Sequence, residues 1–166
     1  MPLPTWDVFI GLTFFVGIAY GFMLRREKTI TTLCSVYIGL VIANNFSQTV
    51  FDFFNGNTTV ANQVWVRSSA SASTIAIALF LASIIFVSGA INSTSNRSGD
   101  ISPLEVIVYS GLTIALVISS ILGFLPEESR NHYLEASRAA RMLYDLRTLI
   151  VIVPPLSLIF LNFKHR

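Results

Sequence analysis

Polar and apolar positions in this chain fall into blocks. Val8 to Leu24 runs seventeen residues without a charge, and Arg25-Arg26-Glu27-Lys28 closes it. That pattern predicts a membrane-crossing helix with a wet, basic end. A second helix is expected from Thr29, apolar over Leu33–Ala43 and ending between Asn44 and Phe54, with Gly56-Asn57 as the next break. Only a few residues connect the first two helices, so they should form an antiparallel hairpin. A third apolar stretch, rich in Ala and Ser, covers about Ser71–Ile91. A fourth starts at Ser102-Pro103, where a missing N–H is harmless, carries Glu105 in its first turn and stops at Leu125-Pro126. Polar connections are expected over Asn55–Ser69 and Asn92–Asp100.

After Leu125 the pattern changes. Tyr133, Leu134, Ala136, Ala140, Leu143 and Leu146 recur at helical spacing, with Glu135, Arg138, Arg141 and Asp145 on the polar side. Glu127–Arg147 therefore reads as one amphipathic helix on the membrane surface or over the bundle. Thr148–Phe163 is apolar but short for a span, and Pro154-Pro155 should kink or break it. The expected fold class is all-α integral membrane: four to five transmembrane helices plus one amphipathic interfacial helix. Residues 1–125 form the four-helix membrane domain, and 126–166 carry the amphipathic helix and a short Pro-Pro-containing hydrophobic helix.

Composition strengthens this reading. Hydrophobic residues make up 53% and charged residues 12%, about half the charged share of a soluble domain. A net charge of +2 with no basic stripe argues against nucleic acid as a partner; the lipid bilayer is the expected one. The single cysteine, Cys34, cannot form an intramolecular disulfide and is expected to be a small packing residue. Charges follow the first apolar run rather than precede it, so the run is read as a permanent span and not a cleaved signal. Trp6 and Trp65 are expected at headgroup level. With the N-terminus outside, the inner side receives six basic residues and the outer side five. The tight Arg25–Lys28 loop, on the inner side, favours that orientation.

Helices in lipid associate through close backbone approach and interhelical hydrogen bonds. Small residues recur at four-residue spacing: Gly17 and Gly21 on the first helix, and Gly39 and Ala43 on the second, with Ser35 before them. The fourth helix carries Gly111, Ala115, Ser119 and Gly123. These ridges serve packing within the chain or self-association as a homo-oligomer. The polar cluster Asn44, Asn45 and Gln48 reads as interhelical hydrogen bonding, as fraying at the interface, or as the lining of a pore or binding site.

Chemistry is sparse. His132 lies between Glu128 and Glu135 at helical spacing, but a di-metal bundle needs that pattern twice. No nucleophile elbow, Ser-x-x-Lys pair or phosphate loop occurs. No catalytic residue, metal site or cofactor is expected.

Trp6-Asp7 heading an apolar run, Gly17 and Gly21 followed by the charged end at Arg25 and Glu27, and Gly39 and Ala43 followed by Asn45-Phe46-Ser47 resemble the colicin V production protein family. Gly111 matches a glycine of that family's last shared helix, while Ala115 and Ser119 replace others, and Tyr20 precedes Gly21 where the family carries Arg-Gly. The resemblance covers about Trp6–Leu125. It implies a multi-pass protein of the bacterial inner (cytoplasmic) membrane, connected with envelope or export proteins, and no catalytic residues. The expected function is non-enzymatic self-association or scaffolding of that machinery. The alternative is a channel or transporter component with a polar path near Asn44, Asn45 and Gln48.

Overall fold

A backbone without water must close its hydrogen bonds within the segment, and a helix does so residue by residue. The computed structural model describes residues 5–54, 71–91 and 103–164, with the backbone alone for 24–27, 103 and 158–164; helix is the only regular structure among them. The six helices are α1 (Trp6–Phe54), α2 (Ala72–Ala90), α3 (Pro103–Phe124), α4 (Glu127–Ala136), α5 (Arg138–Asp145) and α6 (Arg147–Lys164). The expected connections Asn55–Ser69, with Trp65, and Asn92–Asp100 lie outside the described residues.

Four stretches are long and apolar enough to cross a membrane: Trp6–Met23, Lys28–Phe54, Ala72–Ala90 and Leu104–Phe124. Their outward faces are apolar, with Phe15, Met23, Ile85 and Phe86 each more than two-thirds exposed. Such faces suit lipid better than water.

The first two expected helices are one helical run of 49 residues. No glycine or proline lies within Leu24–Ile38, so neither residue type marks the turn. A straight helix of that length would be about 74 Å long, against a hydrocarbon core of about 30 Å. The run is not straight. Thr29 Oγ1 contacts the Gly21 carbonyl oxygen at 3.4 Å, although eight residues of straight helix rise about 12 Å. Gly17 and Thr32 line one small cavity. The chain therefore folds back on itself here, as the short connection required.

The chain divides into two compact units, one of Met1–Leu33 with Asn92–Arg166 and the other of Cys34–Ile91. This differs from a division at residue 125: α4, α5 and α6 belong with α3 and the first limb of α1, Trp6–Met23, the second limb being Lys28–Phe54. In the first unit that limb runs antiparallel to α3. Ile10 clusters with Leu122, Gly17 faces Ile114 and Gly21 faces Ser110. Of the four span-length stretches α3 is the most enclosed, and α5 and α6 pack on it. In the second unit Gly39 lets the second limb of α1 approach α2. A Cβ there would lie 3.2 Å from the Phe80 carbonyl oxygen and 3.1 Å from Ile84. Leu33 closes the first unit with its side chain fully buried, and Ser35, Val36, Ala43 and Phe80 are fully buried in the second.

One expectation about the C-terminal part is corrected. The single amphipathic helix is two helices, α4 and α5, because Ser137 takes an extended backbone (φ −139°, ψ 124°) and caps α5. The Pro-Pro pair does not break α6, which runs through Pro154 and Pro155. The helical ladder loses two N–H donors there. Pro154 is buried, and its carbonyl oxygen accepts a hydrogen bond from Ser157 Oγ at 2.8 Å. The described apolar part, Arg147–Ser157, is shorter than a span.

The Gly21–Ser110 contact is testable by reciprocal exchange. Ser110 Oγ occupies the space where a Gly21 side chain would begin. Gly21→Ala is expected to cost about 1–3 kcal/mol in unfolding from mild detergent, and adding Ser110→Gly should recover most of that loss. Gly111 has open space around it, so Gly111→Ala should be neutral or gain up to about 1 kcal/mol.

Candidate functional site

The small-residue positions are largely used inside the chain. Gly17 meets Ile114, Gly21 meets Ser110, and Gly39 meets Phe80 and Ile84. Ala43, Ala115 and Ser119 are buried, and Ser119 Oγ bonds the Leu116 carbonyl oxygen at 3.3 Å. Gly123 is covered by the guanidinium of Arg147, whose Cζ would lie 2.8 Å from a Cβ at that glycine. Only Gly111 of the α3 ridge has nothing within reach of an added Cβ. Apart from Gly111, these positions meet neighbours within each unit.

The polar cluster lies on the surface. Asn44, Asn45 and Gln48 are all exposed. Asn45 Nδ2 donates to the Val41 carbonyl oxygen at 2.7 Å, and Gln48 Nε2 to Asp52 Oδ1 at 3.2 Å. Each bond uses one of two amide hydrogens and leaves the amide carbonyl available. The cluster continues an exposed stripe. Cys34, Ile38, Val41, Asn45 and Gln48 recur at alternating spacings of four and three residues, and all are exposed. This is the period of a seam that pairs with another helix. Cys34 therefore stands on an exposed face, not in the packed position expected for it.

Sequence reasoning missed the tether of α5. Asp7, at the head of α1, accepts through Oδ1 from Ser137 Oγ at 2.5 Å and from the Ala139 backbone N–H at 3.0 Å. Ser137 Oγ in turn accepts from the Ala140 N–H at 3.0 Å. Ser137 is thus an N-cap, and the Asp7 carboxylate satisfies a second N–H of the first turn, that of Ala139. A negative group also suits the positive end of the helix dipole. Beside this tether Trp6 meets the Tyr133 ring edge-on at 4.9 Å. The sequence signal was Ser137 ahead of a new apolar register; nothing in it pointed to Asp7, 130 residues away.

Cations in this region have specific seats. Arg130 lies 3.6 Å from Glu127 and 5.2 Å above the Tyr144 ring. Arg141 Nε donates to the Leu134 carbonyl oxygen at 3.3 Å. Arg147 sits at the last turn of α3, where the helix dipole is negative. His132 is exposed and meets the Tyr133 ring. Among the described residues no three His, Cys, Asp or Glu side chains come together as a metal site would require.

Comparison with known proteins adds no relative: no family model, no curated protein and no solved structure matches the chain.

Removing the cap should release α5 locally. Ser137→Ala is expected to cost about 1 kcal/mol. Both Ser137→Ala and Asp7→Ala should speed trypsin cleavage at Arg138 and Arg141, and the double variant should be no worse than the more severe single one. Independent, additive effects in that cycle would show that the two residues do not act through one shared tether.

Proposed function

We propose that this chain is a non-enzymatic, multi-spanning membrane protein whose role is assembly. Its copies associate through the α1 face that carries Cys34, Val41, Asn45 and Gln48. The supporting observation is the exposure of amide side chains within a span-length apolar helix. Centred on a bilayer, the 27-residue stretch Lys28–Phe54 puts Asn44 and Asn45 within about 6 Å of the midplane. Amide groups facing hydrocarbon there are costly, and pairing across a helix interface relieves the cost. Amides are self-complementary, each offering donors and an acceptor, so an identical face can satisfy them. Such bonds contribute about 0.6 kcal/mol on average. Their main effect is to set register, as a polar residue does in a coiled-coil seam.

The small ridges are occupied within the units, which leaves this polar seam as the better-supported assembly surface. The resemblance to the colicin V production proteins supports a bacterial inner-membrane setting and an association with envelope or export proteins. Asn44, Asn45 and Gln48 line none of the three cavities between the first limb of α1 and α3.

Cys34 supplies the test. Copies related by a two-fold axis along the membrane normal bring identical residues of a seam together, and a disulfide forms when the two Cα atoms lie within about 7 Å. Mild oxidation of membranes should yield a Cys34-linked dimer, and Asn45→Leu should lower its yield several-fold. A chain that stays monomeric under oxidation, and keeps monomer size in mild detergent, would remove this face as a self-association surface.

A further inference from the structure

The antiparallel seam between the first limb of α1 and α3 does not close completely. A cavity of about 400 Å³ lies between Phe9, Ile10 and Thr13 on one side and Val117, Ile121 and Leu122 on the other. A second, of about 430 Å³, follows it along the seam and shares Thr13, Val117 and Ile118. A third, of about 90 Å³, shares Gly17, Tyr20, Thr113 and Ile114 with the second. The three form one line from Trp6 to Gly21. Fifteen residues of helix make that line about 22 Å long.

The lining excludes most ligand classes. The Thr13 hydroxyl donates to the Phe9 carbonyl oxygen at 2.9 Å, and the Thr113 hydroxyl to that of Tyr109 at 2.7 Å. Both hydroxyls are therefore committed to their own helix, and apart from Ser137 at one end the walls of the two large cavities are otherwise aliphatic and aromatic. Among the described residues no charged side chain lines this space to seat an ion or a phosphate. A compact solute would fill one chamber, whereas the three chambers follow one another along the seam as an elongated, chain-like ligand requires.

The mouth is chemically different. Trp6, Tyr133 and Ser137 stand at the first cavity, where the Asp7 tether holds α5. Aromatic rings with polar tips belong at headgroup level.

We propose that the α1–α3 groove holds one acyl chain of a membrane lipid. The chain enters beside Trp6 and Tyr133 and lies along Thr13 and Ile118 toward Tyr20. Recognition is by the chain, because the walls carry nothing that reads a headgroup. This occupancy is separate from the seam on the second limb and does not require self-association.

Native mass spectrometry of the purified protein, loaded with phosphatidylglycerol or phosphatidylcholine of the same eighteen-carbon chains, reads the occupancy. One lipid per chain should survive detergent removal, with equal retention for the two headgroups. Ile118→Trp fills the junction of the two large cavities and should lower retention about tenfold. Ile85→Trp, on the exposed face of α2, should leave it unchanged. A measurement on unaltered groove walls covers the case in which Ile118→Trp misfolds. In the Trp65→Phe protein, Trp6 fluorescence should be quenched by a chain-brominated phospholipid in detergent and saturate at one lipid per chain. Quenching that rises with lipid without saturating, or retention that ignores a folded Ile118→Trp, overturns the proposal. So does a larger assembly that Ile118→Trp dissociates, since a second copy would then occupy the groove.

Discussion

Helices surrounded by hydrocarbon gain little by burying apolar side chains against one another, because lipid tails serve as well. The pairing of the first limb of α1 with α3 must therefore rest on close approach and on polar anchoring. Both are present. Gly17 and Gly21 remove the side chains that would otherwise keep Ile114 and Ser110 away. At the other end of the same limb, Asp7 binds the N-terminus of α5 through Ser137 and Ala139. With α5 and α6 packed on α3, these two devices set the position of each helix in the first unit.

Polar groups in the spans divide by where their bonds go. Thr13, Ser83, Thr113 and Ser119 turn back onto carbonyl oxygens of their own helices. They gain a partner without demanding one from a neighbour, so the adjoining surfaces remain apolar. Asn45 and Gln48 are also bonded locally, but an amide has more hydrogen-bonding capacity than one such bond consumes. The remainder lies on an exposed face. That difference in capacity separates the residues that shape a dry groove from those that call for a partner.

The C-terminal helices extend the same logic to charge. Arg147 lies over Gly123 at the end of α3, where the helix dipole favours a cation. Arg130 is placed between Glu127 and Tyr144. In the fold the half-buried Arg147 guanidinium packs over Gly123.

Composition and periodicity alone determined the all-helical character, the four span-length stretches and the ends of α2 and α3, because these depend on local hydropathy and on caps such as Ser71 and Pro103. The four-residue recurrence of Gly17 and Gly21 marked a packing face, but a ridge of glycines carries no mark of its partner. Ile114 and Ser110 became that partner only once the helices ran antiparallel in one register. The outward direction of Asn44, Asn45 and Gln48 was likewise settled by which side of α1 met α2. The break at Ser137 and the role of Asp7 belong to the tertiary structure as well. A carboxylate that caps a helix 130 residues away leaves no local periodicity to read, and it acts only where folding brings the two ends together.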